Sequence, residues 1–429
     1  MLKLKEYSFS SLYDIASGIS SSKSQAGHGS PFVSFSTVFN NYFLPNEFPD
    51  LMDTSEKEQE IYSIKEGDIL LTRTSETINE LAMSCVVLKN YPKTTFSGFT
   101  KRLRPKPGTE EIVYHKYFGF YLRSYLFRKA VTNHSIMTLR SSFNEEIYSF
   151  LKIYLPEYEE QVKIGDFLYS IYQKIQINND LNAELEKLAK TLYNYWFVQF
   201  DFPNDNGKPY RASGGKMEYS EVLKREIPKG WRAATLNEII YENKQIISDE
   251  NKKEDMLGLD LSIIPSNSFC LDQCGKASDF DSNRFILKKY DLLFGSIRPY
   301  LRKAGFSSFD GVVNGSVLNF RCKDNNIFSF ALCTLTSEAM FKYAITRSSG
   351  NGTRMPTINA TELLEHMLIY DEQIIAKFEK CLSPYWKIIV SNINQNFELI
   401  KLRDLLLPLL MNGQVKIKDD KKEIKLLSI

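Results

Sequence analysis

The chain has 429 residues, 43% hydrophobic and 25% charged, with a formal net charge of +2. This is the make-up of an ordinary globular protein, long enough for two or three domains with real cores. The opening "MLKLKEYSF" lacks the apolar stretch of a signal peptide, and no apolar run approaches the roughly 18 residues needed to span a bilayer, so a cytoplasmic protein without a membrane partner is expected.

Residues 1–155 read as a first globular domain. "DILLTRT" and "SCVVLKN" have the apolar, β-branched content of strands, and "KYFGFYLRSYLFRKAV" (116–131) has helical spacing. Its charge is segregated. No Asp or Glu falls between Leu81 and Thr109, where Lys89, Lys93, Lys101, Arg102, Arg104 and Lys106 lie, nor between Ile112 and Asn144, where Lys116, Arg123, Arg128, Lys129 and Arg140 lie. On a near-neutral chain, acid-free windows suggest a basic face for a polyanion; ordinary solvated lysines and arginines are the plainer reading of any one window.

Residues 156–199 follow as a long helix. Ile164, Leu168, Ile171, Ile175, Leu185, Ala189, Leu192 and Trp196 keep a 4-3-4-3 spacing, the seam of a coiled coil, with Asn178 and Asn182 at its centre. A stretch rich in Gly, Pro, Ser and charge (200–231) reads as a linker, mostly loop. Residues 232–370 form a second globular domain, with "VLNFRC" as a strand and "IFSFALCTLTSEAMFKYAI" (327–345) as helical. Its acid-free windows hold Arg298, Arg302 and Lys303, then Lys342, Arg347 and Arg354. Residues 371–412 form a second long helix, and 413–429 a tail.

The second half repeats the first. Adding 214 carries Ile164 to Phe378, Leu168 to Leu382, Ile171 to Tyr385, Ile175 to Ile389, Leu185 to Leu399, Leu192 to Leu406 and Trp196 to Leu410; Arg403 breaks the seam where Ala189 sits. Asn178 and Asn182 land on Asn392 and Asn396. Upstream, "YSIKEGDILLTRT" matches "FILKKYDLLFGSIRP" around Gly67-Asp68 and Tyr290-Asp291, and "SIMTLRSSFNEEI" matches "GTRMPTINATEL". Each helix, about 40 residues and roughly 60 Å long, needs a partner for its seam. Pairing them stacks amide on amide, so the four Asn are expected to fix register, since a heptad slip buries amides against Leu or Ile. Pro384 predicts a kink or restart, with Ser383 as its cap, and Pro408 the final turn.

Nothing in the motifs points to catalysis. There is no Walker A loop; "GHG" and "GNG" are too short for a nucleotide fingerprint; the Asp/Asn-Pro-Pro-Tyr/Phe tetrapeptide of amino-methyltransferases and Gly-x-Ser-x-Gly are missing. The four His form no ligand set. Cys270 and Cys274 stand without the second pair that zinc requires, and the six Cys show no disulfide framework. The chain reads as a binder with no catalytic, cofactor or metal site of its own. A protein-binding scaffold and an orphan DNA-modifying enzyme with an unrecognised site are the alternatives.

From end to end the chain resembles the specificity subunit of type I restriction–modification enzymes. "LEKLAKTLYNYWFVQFDFPNDNGKPYRASGGKM" with "LKREIPKGW" resembles that family's central helix end and linker. "GSPFVSFSTVF", "GDILLTRTSETINELAMS" and "TFSGFTKRLRP" resemble one class of its first target-recognition domains, and "LPEYEEQ" its lead-in to the first helix. The second copy, "LIYDEQ", lacks the proline. The resemblance implies an α/β (α+β) fold: two target-recognition domains related by an internal pseudo-two-fold repeat, separated by two long antiparallel coiled-coil helices. Each domain would read one half of a split target in double-stranded DNA. The helices would space the halves and dock two methyltransferase subunits, which bring S-adenosylmethionine; motor and nuclease subunits using ATP and Mg²⁺ would join for defence against foreign DNA. A DNA dyad requires the helices to run antiparallel, with half-sites about one turn, roughly 34 Å, apart. The residues expected on the DNA face are Arg73, Thr74, Ser75, Lys101, Arg102 and Arg104 in the first domain, and Arg298, Arg302, Lys303, Arg347 and Arg354 in the second, with "SSGNGTR" (348–354) as a loop near a groove.

Overall fold

The computed structural model describes residues 3–20, 22–75, 77, 80–133, 141–143, 145–247, 256–279, 284–349 and 355–417. It divides into two compact units, one formed by residues 1–175 with 398–429 and the other by 176–397. Each unit contains one globular fold and a length of both long helices.

The two globular folds share one topology. In the first unit a four-stranded antiparallel sheet runs in the order Tyr13–Ser17, Thr100–Pro105, Ile69–Thr72, Ser84–Val86. In the second the order is Ile240–Glu242, Val317–Cys322, Leu292–Gly295, Ala304–Phe306. The central strands, "ILLT" and "LLFG", are buried at every position, which explains why both read as unbroken apolar runs. A smaller sheet repeats too: Ala26–Val33 pairs parallel to Thr95–Phe96, as Leu257–Leu259 pairs parallel to Gly311–Asn314. Finally, the first strand of each fold pairs with the strand leading into its helix, Lys5–Ser8 with Lys152–Leu155 and Arg232–Thr235 with Met367–Tyr370.

The same lock closes both sheets. Asp68 and Asp291 follow residues with positive φ, Gly67 at 85° and Tyr290 at 71°. Both carboxylates are buried. Asp68 accepts the Lys65 amide and a two-pronged pair from Arg104 (2.8 and 2.7 Å); Asp291 accepts the Lys288 amide and the same pair from Arg321 (2.7 and 3.0 Å). Glycine takes the left-handed turn freely, whereas Tyr290 takes it at a cost of roughly 1–2 kcal/mol. Stacking on Phe306 at 6.0 Å and an edge contact with Phe328 at 5.4 Å hold Tyr290 there.

The long helices run Tyr158–Tyr193, ending in a π-helical turn over Asn194–Val198, and Glu372–Met411. In the second unit they are antiparallel. Asn178 donates to Asn396 at 2.8 Å and to Gln395 at 2.9 Å, Asn392 to Asn182 at 2.8 Å, and Asn396 to Asn179 at 2.7 Å. Further along, Trp196 meets Phe378 with ring centroids 5.4 Å apart. Asn178, Asn182 and Asn396 are buried, so these three amides find their partners inside the seam, while Asn179 and Asn392 are half-buried and Gln395 is exposed at its margin. In the first unit Leu410 and Met411 join the core of Ile164 and Leu168.

One expectation needs correction. The second helix neither breaks nor restarts at Pro384. It continues through Pro384 and Pro408 as one element, because Leu382 and Trp386, fully buried on either side of Pro384, hold the turn that lacks a hydrogen bond. The stretch 200–231 is mostly turn and loop, as expected, but it also holds a hairpin and packs against the fold. Met217–Ser220 and Arg225–Pro228 form an antiparallel hairpin, and Phe200, Phe202, Ile227 and Trp231 sit in the core of the second unit. Phe202 stacks on Tyr210 at 4.7 Å and on Trp231 at 5.0 Å. These aromatic contacts hold the loops of that stretch on the core. The helical stretches within the globular folds are each two helices, His115–Tyr121 with Tyr125–Asn133, and Phe328–Leu335 with Glu338–Arg347; Ser337 caps the last by accepting the Met340 amide.

Candidate nucleic-acid interface

Beyond the end of each central strand the two folds build the same backbone frame. In the first, the Arg73 amide donates to the Phe99 carbonyl at 2.8 Å and its carbonyl accepts the Phe143 amide at 2.8 Å. In the second, the Ser296 amide donates to the Ser316 carbonyl at 3.1 Å and its carbonyl accepts the Ile358 amide at 2.9 Å. Three segments therefore meet at one edge: the strand end, the tip of the neighbouring hairpin, and the segment returning before the last short helix. Backbone and side chains follow different rules there. The frame is the same in both folds, while Arg73 and Phe99 stand where the second fold has Ser296 and Ser316.

Of the residues expected on a DNA face, Arg73 is exposed at this edge. Lys101 is half-buried and donates to Ser17 Oγ at 2.7 Å; burial, then the charge of Arg73, pull its pKa below the ordinary lysine value. Thr74 is half-buried. Ser75 is buried, accepts the Thr77 amide and donates to Glu80. Arg102 and Arg104 are committed to their own fold. Arg102 donates to the carbonyls of Ser63 (2.6 Å) and Ile61 (3.3 Å) and lies over the Phe96 ring, and burial lowers its pKa. Arg104 is the partner of Asp68. The repeat supports these structural roles: Arg321 takes the place of Arg104, and Asn319, at the position of Arg102, donates to the carbonyl of Ile286 in the strand Arg284–Leu287. Both guanidiniums are thus engaged within the fold.

In the second fold Arg298 is exposed, with its backbone left-handed at φ 52° and its amide donating to the Pro356 carbonyl at 2.8 Å. Arg347 is exposed beside the Tyr343 ring. Arg302 pairs with Glu338 at 2.7 Å, and Lys303 donates to the Leu261 carbonyl at 2.7 Å, so both are partly drawn into the fold. Arg354 and most of "SSGNGTR" lie outside the described residues. The sequence reading passed over three exposed apolar side chains at these edges, Phe99 (66%), Tyr300 (50%) and Met355 (60%). Their signal was an apolar residue where strand alternation has already ended, as in Phe99 within "TFSGFTKRLRP".

Among the described residues no cluster of His, Cys, Asp and Glu is placed to hold a metal ion, and no helix is long and apolar enough to cross a membrane. Exposed cations and apolar side chains around a rigid strand end are suited to contacting phosphates and base edges.

Comparison with known proteins agrees with this chemistry. Residues 5–187 match the family model described as "Type I restriction modification DNA specificity domain". The chain is similar to the type I restriction enzyme MjaIX specificity subunit of Methanocaldococcus jannaschii, at 26% identity over 384 residues, covering 86% of this chain and 82% of that one. It is also similar to the type I restriction enzyme HindI specificity subunit of Haemophilus influenzae, at 24% identity over 453 residues, covering 90% and 94%. In fold it is similar to the crystal structure of a type I restriction–modification S subunit from M. genitalium, with a TM-score of 0.55 at 15% identity over 95% and 96% of the two chains.

Proposed function

This chain belongs to the specificity subunits of type I restriction–modification systems, whose function is DNA sequence recognition, and from that premise we propose that each of its two globular folds reads one half of a bipartite target. The observation that carries the proposal is the shared frame with divergent side chains. Two folds with the same topology and the same Asp–Arg lock present Arg73 and Phe99 at one edge and Ser296 and Ser316 at the other. Duplication supplies two readers, and the differing side chains supply two half-target sequences.

In this reading Arg73 and Lys101 act from the first fold, and Arg298 and Arg347 from the second, with Arg302 and Lys303 at the margin. The helices carry two methyltransferase subunits and set the distance between the half-targets, and the four Asn hold the register of the pair. The chemistry belongs to partners. S-adenosylmethionine is used by the methyltransferase subunits, ATP and Mg²⁺ by motor and nuclease subunits, and this chain contributes recognition without catalysis.

The test is duplex binding by the complex with its methyltransferase across a salt series. Arg73→Ala combined with Arg298→Ala should weaken binding and make the slope of affinity against salt shallower by about one per lost phosphate contact. Assembly with the methyltransferase should be unchanged. Unaltered affinity and slope in the double variant would remove these edges from the interface.

A further inference from the structure

Phe99 is held on a rigid tip. The Thr100 amide and hydroxyl both donate to the Ser97 carbonyl (2.9 and 2.7 Å), the Phe99 amide donates to Ser97 Oγ (3.2 Å), and Gly98 packs against Ile19, whose carbonyl its amide meets at 2.8 Å. A Cβ on Gly98 would lie 2.9 Å from that carbonyl oxygen, so the tip is fitted closely to its neighbour.

The strand ladder fixes what lies beside the turn that carries the ring. Thr72 pairs with Thr100, so Arg73 stands opposite Phe99; Leu71 pairs with Lys101, and Lys101 with Ser17. Opposite residues, and residues two apart, point to the same side of a sheet. Lys101 and Ser17 share a face of the sheet, with Lys101 anchored by its bond to Ser17, and the turn that carries Phe99 is tied to Arg73 just beyond the strand end by the Arg73 amide on the Phe99 carbonyl. The result is an exposed aromatic residue on a turn bonded to Arg73, with Arg73 and Glu145 both within electrostatic reach of Lys101. Cations draw in the phosphate backbone, and an apolar side chain on a rigid turn beside them is suited to press into a base step rather than onto the backbone.

We propose that Phe99 is a specificity-determining residue whose ring wedges against a base step in the half-target read by the first fold, with Arg73 and Lys101 positioning the flanking phosphates. In the second fold Ser316 stands at this position. The proposal rests on the DNA-reading assignment above and adds a contact that senses how readily one step unstacks.

The experiment uses the complex with its methyltransferase subunits. The adenine-methylation pattern the complex leaves on DNA first defines the target. Duplexes carrying that target, with 2-aminopurine placed singly along the half-target that changes in the Arg73→Ala variant, then report unstacking by a rise in fluorescence. The wild-type complex should raise the signal at one position. Phe99→Ala should abolish that rise and weaken target binding roughly tenfold or more, as loss of one base–aromatic stack does. Affinity for an unrelated duplex should not change, because the ring carries no charge. Phe99→Leu, still apolar, should keep part of the rise. A wild-type complex that raises no signal, or a Phe99→Ala complex that keeps both signal and affinity, would overturn the wedge. A wild-type complex that does not prefer its target over an unrelated duplex would instead overturn the DNA-reading assignment.

Discussion

Arg104 and Arg321 show how much of this molecule's positive charge works inward. Each grips a buried Asp with two hydrogen bonds, so each is part of the sheet rather than of its surface. Hydrogen bonding to Asp291 holds the Arg321 guanidinium pKa above its ordinary value. Arg321→Ala strands the Asp291 carboxylate in the core and should destabilise the protein by about 3–5 kcal/mol, read as a drop in the midpoint of chemical unfolding. An unchanged midpoint would mean the carboxylate finds another partner. Acid-free windows located the basic segments correctly but could not separate inward from outward arginines, because a count of charge along the chain carries no direction. The information lay in the repeat. Arg104 and Arg321 occupy matched positions next to matched aspartates, which marks them as framework, whereas Arg73 faces Ser296 in the same alignment and is free to differ.

At the scale of elements, the seam was the most legible feature of the sequence. Ile164, Leu168, Ile171, Ile175, Leu185, Ala189 and Trp196 are all buried, and Asn178 and Asn182 with them. Legibility fell in the second helix, where Trp386 and Ile393 take core places alongside the seam read from the repeat, while Tyr385 is only half-buried. There the helix meets a globular fold as well as its partner, and Trp386 donates to Ser329 at 2.7 Å. A two-helix pattern does not anticipate a third surface. The expected restart at Pro384 failed for the same reason, since local propensity was outweighed by packing against the core of the second unit, whereas Pro408 falls in the final turn and 200–231 is mostly loop, as expected. The amide layer has a direct test. Asn178→Leu alone leaves Asn396 short of a buried donor and should cost about 1–3 kcal/mol, whereas adding Asn396→Leu should recover part of that loss in a double-mutant cycle. Strictly additive costs would show that the two amides do not act on each other.

For the molecule as a whole, duplication is the organising fact. One fold occurs twice, with the same strand order, the same parallel side pair, the same lead-in strand and the same Asp–Arg lock. What differs lies at the edge after the central strand, and a binding surface is where such differences are useful. Function was legible from the resemblance of whole segments, while the contacts themselves were not, since recognition depends on a few exposed side chains whose exposure only the fold determines. The account stands most directly on the adenine-methylation pattern left on DNA by the complex of this chain with its methyltransferase, compared with that of the Arg73→Ala variant. It predicts a bipartite pattern with two defined halves, of which the variant relaxes one and leaves the other intact. A single contiguous pattern, or a variant that relaxes both halves alike, would contradict it.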